Sequence, residues 1–141
     1  MYSEVMQFPS LENFNSVIHI SHDDLDGISP IILSRIAFKG KSLVECCCGY
    51  DKVDETVSNM IECLDRNAVM IITDISPSPE LLSRICEKVC DGYFIILIDH
   101  HDPKTNDVEN YRNWMVLCKQ YPDGRCTAAT SMYYDYLLKN G

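Results

Sequence analysis

The sequence predicts a doubly wound α/β fold: a five-stranded parallel sheet in the order 2-1-3-4-5 with helices on both faces. Three observations carry this. Short β-like runs alternate with longer amphipathic stretches along the whole chain, with no repeat or low-complexity tract between them. Two of the runs, 68–73 and 93–98, are apolar almost throughout, the pattern of strands covered on both faces. At 141 residues, the chain has the length of one domain with one core, and β-α-β alternation within it calls for right-handed crossovers between parallel strands.

The elements follow in order. Residues 1–16 form an N-terminal extension carrying Phe8-Pro9 and Phe14, either a capping segment or a tail, ahead of a first strand at 17–21. A helix is expected at 25–38, a turn at Lys39-Gly40-Lys41, a second strand at 42–48, and a helix at 52–65 whose Asp54, Glu55, Glu62 and Asp65 read as a solvated face. Strand three at 68–73 leads to a helix at 79–90, and strand four at 93–98 leads, after a longer connection, to strand five at 114–118. A Tyr-Pro-Asp-Gly turn at 121–124 precedes a last helix at 127–139, which closes on Lys139-Asn140-Gly141 as a helix end with its cap. The Tyr133-Tyr134-Asp135-Tyr136 cluster on that helix reads as core and interface packing rather than as an exposed platform for stacking bases.

Composition narrows the function. With 46% hydrophobic and 23% charged residues, the chain is globular in type, which excludes disorder and fibrous repeats. The 21 acidic and 12 basic side chains leave a net charge of −9, which argues against duplex DNA bound through a basic face, because such binding neutralises several phosphates with Lys and Arg. The longest apolar runs, 69–72 and 94–98, fall short of the roughly 18 residues of a membrane span, and the N-terminus lacks the basic start of a signal peptide. A cytoplasmic protein with no membrane contact is expected. Eight cysteines without a Cys-x-x-Cys pair read as buried thiols in a reducing compartment, and Cys46-Cys47-Cys48 would alternate across a strand, poor geometry for one tetrahedral site.

In open parallel sheets the ligand crevice lies beyond the C-terminal strand ends. Strand one is followed by Ser21-His22-Asp23-Asp24-Leu25-Asp26-Gly27, strand three by Thr73-Asp74-Ile75-Ser76 and strand four by Asp99-His100-His101-Asp102. Neighbouring strand tips about 4.8 Å apart would span roughly 10 Å across three strands, room for two cations about 3.5–4 Å apart. Carboxylates crowded that closely repel one another, and divalent cations remove the conflict. Asp23, Asp24, Asp26, Asp74 and Asp99 therefore suggest metal, and mixed imidazole and carboxylate donors favour a borderline ion such as Mn²⁺ over Ca²⁺. Gly27 lets the backbone turn closely where the first helix begins, and the N–H groups there could receive a phosphate. His19, inside strand one, reads as a structural histidine.

These residues carry a resemblance. His22-x-Asp24-x-Asp26-Gly27, Asp74 and Asp99-His100-His101 resemble, in order and spacing, the first three motifs of the DHH phosphoesterase superfamily, whose members include RecJ-type exonucleases and oligoribonucleases. The likeness covers about residue 17 to the end, and Cys126-Thr127-Ala128-Ala129-Thr130 looks like the small-residue helix start of oligoribonuclease-like members. The resemblance implies one metal held by His22, Asp24 and Asp74, and a second held by Asp26, a bridging Asp74 and His100. It implies that His101 faces the substrate phosphate and that Asp99 orients a histidine. Two Mn²⁺ ions, with Mg²⁺ or Co²⁺ as substitutes, would activate water to cleave a phosphodiester in a short oligonucleotide or related small nucleotide.

One family feature is not matched. A fourth-motif aspartate that completes the second metal site has no counterpart, since Asp123 lies in a turn and Asp135 on the last helix. The resemblance therefore implies a catalytic domain at 17–141 without its C-terminal substrate-binding domain, supplied by a longer chain, a partner or a homo-oligomer. A receiver-like phospho-acceptor domain is a competing reading, with Asp23 and Asp24, Asp74 and Lys119 in the acidic, acceptor and lysine places, but Asp-His-His stands where strand four of a receiver carries Ser or Thr. An inactive DHH domain serving as an interaction module is a third.

Overall fold

The computed structural model describes residues 10–102, 105–117 and 120–140. Five parallel strands form one sheet in the order β2-β1-β3-β4-β5, as the alternation of elements predicts. They are β1 (Ser16–His22), β2 (Ser42–Cys48), β3 (Ala68–Thr73), β4 (Phe94–Asp99) and β5 (Met115–Leu117). Between and after them lie α1 (Leu25–Ala37), α2 (Val53–Cys63), α3 (Pro79–Cys90) and α4 (Ala129–Asn140).

Strand alternation divides the core into two layers. Ile18 and Ile20 of β1, Met70 and Ile72 of β3, and Ile95 and Leu97 of β4 pack against Val57 and Ile61 of α2 and Leu82 and Ile85 of α3. Their neighbours Val17, Val69, Ile71, Ile96 and Ile98 turn the other way, onto Met132, Tyr133 and Tyr136 of α4. Every residue of β3 is buried, the expected consequence of a central strand covered on both faces. Lateral pairing of Ser21 with Thr73, and of Thr73 with Ile98, brings the C-terminal ends of β1, β3 and β4 level at one edge. That levelling positions the site.

Of the N-terminal extension, residues 10–15 form a capping segment, Leu11 and Phe14 being buried beneath the α4 side of the sheet, and Ser16 already belongs to β1. Lys41, in the turn before β2, donates to the carbonyls of Leu11, Glu12 and Phe14 at 3.1, 2.6 and 2.7 Å. Residues 1–9 lie outside the described residues, as do Cys118 and Lys119.

The reading of the cysteines as buried thiols is corrected. Cys48 is buried, Cys46 and Cys86 are half-buried, and Cys47, Cys63, Cys90 and Cys126 are exposed, all seven as free thiols. β2 is an edge strand with most of its residues exposed, and Cys63 and Cys90 are the last residues of their helices, so apolar sequence context alone overstated their burial. Among the described residues no helix is long and apolar enough to cross a membrane.

Candidate metal centre

The site begins where β1 runs into α1. Asp24 is the N-cap of α1, its carboxylate accepting from the Gly27 N–H at 2.8 Å, which satisfies one of the amide donors left free at a helix start. A Cβ on residue 27 would lie 2.0 Å from the His22 carbonyl oxygen, so only glycine lets the helix start pass behind His22. Gly27 thus serves through close approach, and its own N–H is taken by Asp24 rather than left open for a phosphate.

Asp74 stands at the centre. It follows β3 with φ 62°, a left-handed conformation that costs a non-glycine residue energy and persists only where its surroundings fix it. Its N–H donates to the Ile98 carbonyl at 3.0 Å, and the residue is 1% exposed. One carboxylate oxygen, Oδ1, lies 3.0 Å from His100 Nε2 and the other, Oδ2, lies 3.7 Å from His22 Nδ1. His22 Nδ1 is 2.9 Å from Asp24 Oδ2, and His100 Nε2 is 3.1 Å from Asp26 Oδ2. The carboxylate therefore separates two imidazoles, each with a second carboxylate beside it.

At the end of β4, Asp99 is an acceptor hub. Its Oδ1 accepts from the His100 N–H at 2.8 Å and the His101 N–H at 3.3 Å, and pairs with His101 Nδ1 at 2.6 Å. Its Oδ2 accepts from the Ser76 hydroxyl at 2.9 Å. These contacts fix the His100-His101 turn and engage one nitrogen of the half-exposed His101 ring.

Charge crowding is visible in protonation. Burial first, then the nearby carboxylates of Asp26 and Asp24, push the Asp74 carboxyl up to about 7. Burial also acts to raise Asp24, but the Gly27 hydrogen bond and the neighbouring Asp74 and His22 outweigh it and hold Asp24 below the usual carboxylate range. Asp74 Oδ2 and His22 Nδ1 are buried without a hydrogen-bond partner, the approach of Asp24 Oδ2 to Nδ1 at 2.9 Å being an ion-pair contact without hydrogen-bond geometry. Unmatched buried polar atoms are costly, and a cation between them would satisfy both. Ligand atoms from His22, Asp24 and Asp74 lie within 4.8 Å of one another, as do those from Asp74, Asp99, His100 and His101. The two groups share Asp74; Asp26, expected as a ligand of a second ion, lies outside the second group, with its Oδ2 3.1 Å from His100 Nε2.

All seven histidines and acids assigned from the motifs converge here. Asp23 lies at the rim, largely exposed, with Oδ1 3.5 Å from His22 Nε2. Asp123 is exposed and paired with Arg125, and Asp135 is exposed on α4. Three residues to which the motifs gave no role also contribute: Ser76 on Asp99 and Thr130 on Asp26, both inside runs already singled out, and Tyr50, outside them, with its ring 5.0 Å from that of His22. Their partners are remote in sequence, so no local spacing pointed to them. His19 is buried and bonded on both ring nitrogens, as a structural histidine.

No family model matches the chain. Over 124 residues it is 36% identical to oligoribonuclease NrnB of Bacillus subtilis (strain 168), a match covering 86% of this chain and 30% of that protein. The chain belongs to the DHH phosphoesterase superfamily. That membership leaves the receiver reading without support. Two solved structures share the fold of this DHH chain, each with a TM-score of 0.62: an uncharacterized protein from Helicobacter pylori G27 and RecJ from Thermus thermophilus, the latter in complex with Mn²⁺. The first is 24% identical and is matched over 88% of this chain and 36% of its own; the second is 20% identical and is matched over 91% and 18%. The chain thus spans about a third of the length of the oligoribonuclease it matches.

Proposed function

We propose that this DHH chain is the catalytic part of a metal-dependent phosphohydrolase that cleaves phosphodiester bonds in short oligonucleotides or a related small nucleotide. The observation that carries the reading is the Asp74 carboxylate, buried between His22 and His100 with Oδ2 and the facing His22 Nδ1 unmatched. His22, Asp24 and Asp74 would hold one divalent ion, and Asp26, Asp74 and His100 the other, with Mn²⁺ favoured by the mixed nitrogen and oxygen donors. When bound, such a pair supplies a water nucleophile at neutral pH and offsets charge on the phosphoryl group.

The remaining work falls to the chain's own side chains. Asp99 holds His101 through Nδ1, leaving Nε2 as the nitrogen that meets substrate. Protonated, Nε2 donates a hydrogen bond to a phosphoryl oxygen as charge develops there, and the Asp99 carboxylate stabilises the imidazolium. Ser76 keeps Asp99 oriented through Oδ2, and Asp24 anchors the start of α1 while presenting its second oxygen to His22. The similarity to an oligoribonuclease supports the choice of substrate. A cytoplasmic setting belongs to the same proposal.

Incubation of a 5′-labelled RNA trimer with the protein and Mn²⁺ tests this. Mononucleotide release that stops on chelation is expected. Absence of Mn²⁺-dependent hydrolysis of the trimer, a cyclic dinucleotide and pyrophosphate alike would overturn the assignment.

A further inference from the structure

Helix α4 supplies no candidate ligand, yet its first turn reaches into the metal centre. Thr130 Oγ1 lies 3.2 Å from Asp26 Oδ1 and 3.4 Å from the Asp26 carbonyl oxygen. The other oxygen of that carboxylate, Oδ2, faces His100 Nε2 at 3.1 Å. A carboxylate on a two-torsion side chain can present either oxygen, so a donor fixed on Oδ1 decides that Oδ2 points to the centre.

A residue in α1 explains why a hydroxyl belongs there. Pro30 sits inside α1, four residues after Asp26, and has no N–H to give to the Asp26 carbonyl. Backbone and side-chain acceptors of Asp26 are both left to find donors outside their own helix, and Thr130 faces both. One turn further along α4, the Tyr133 hydroxyl meets Ser34 of α1 at 2.6 Å. That buried contact holds the two helices in register, so Thr130 is presented to Asp26 by a packed framework rather than by a free loop.

We infer that Thr130 is a positioning residue for the metal centre, fixing the Asp26 carboxylate so that Oδ2 completes the His100 side of the site. This rests on the metal-dependent reading of the same residues. A hydroxyl that only capped the freed Asp26 carbonyl would matter to folding and leave ion binding untouched, and that difference is measurable.

The test is calorimetric titration of the full chain with Mn²⁺, alongside thermal unfolding without metal, for the wild type, Thr130→Val and Thr130→Ser. Valine keeps the shape and removes the donor; serine restores it. Two ions are expected in the wild type. Thr130→Val is expected to weaken one of them by about 10- to 100-fold and leave the other unchanged, with a small fall in the metal-free melting temperature as the Asp26 carbonyl loses its donor, while Thr130→Ser binds within about threefold of the wild type. Thr130→Val binding both ions as the wild type does, or losing thermal stability with its Mn²⁺ affinity intact, would overturn the positioning role. A wild type that binds no Mn²⁺ would overturn the reading of the site itself, and the inference with it.

Discussion

Two histidines three residues apart on β1 live in opposite surroundings. His19 is buried in a chain of matched polar groups: its Nδ1 meets Ser34 at 2.6 Å, its Nε2 meets Thr73 at 2.8 Å, and those partners continue to Tyr133 and Ser21 at 2.6 and 2.8 Å. Burial pushes His19 down to about 3, so the ring is neutral and the chain carries no charge. His22 stands among carboxylates, one of them pushed up to about 7, with its Nδ1 and the facing Asp74 oxygen unmatched. The boundary between the two regions is the Thr73–Asp74 peptide bond. A fully matched polar network can sit in a core at little cost, whereas a partly matched one is a liability unless something else completes it. The contrast separates the polar groups that hold this fold from those prepared for a ligand.

Substitutions that exchange the fates of the two regions have the largest expected effects. Asp74→Ala is expected to reduce Mn²⁺-dependent release of mononucleotides below detection, because it removes a ligand from both metal positions; turnover comparable to wild type would end the bridging role. His19→Leu leaves the Ser34 and Thr73 hydroxyls short of a partner in the core and is expected to cost about 3 kcal/mol in urea unfolding. Added Mn²⁺ at about a hundred times its dissociation constant is expected to raise the unfolding free energy by about 2.7 kcal/mol, with none of this gain in Asp74→Ala.

Titration sharpens the same contrast, since the two regions respond with opposite sign. His19 has a folded value of about 3 against an ordinary 6.5, so its contribution to stability is present above 6.5 and lost as pH falls through about 3. Asp74 has a folded value of about 7 against 3.8, so its contribution is fully present below 3.8 and lost as pH rises through about 7. Metal-free Asp74→Asn should therefore hold its melting temperature between pH 5 and 8, where the wild type declines. At pH 8 the same variant is expected to be about 1 kcal/mol more stable than the wild type without metal. A steeper decline in the variant would show that the Asp74 charge is already compensated.

Much of this molecule was legible because its chemistry follows strand ends. α3 runs from Pro79 to Cys90 as its periodicity predicts, and the motif histidines and aspartates fall at or just past the C-terminal ends of β1, β3 and β4, Asp24 and Asp26 at the start of α1. Other features were not. β5 is three residues long where five were expected, with the fifth, Cys118, outside the described residues, and α4 starts at Ala129 rather than Thr127. The cysteine reading differs from the structure because an apolar neighbour in sequence does not fix burial: β2 stands at the edge of the sheet, and Cys63 and Cys90 close their helices.

The period of each element, the order of strands and the residue types that gather at one sheet edge are all readable from the amino-acid order, because alternation and motif spacing are properties of the chain's own pattern. Which oxygen of each carboxylate faces which imidazole, the left-handed Asp74 between His22 and His100, and the reach of Thr130 to Asp26 from 104 residues away emerge with the folded chain. Those contacts depend on how helices and strands pack across the sheet. Packing joins residues whose separation along the chain carries no periodic signal.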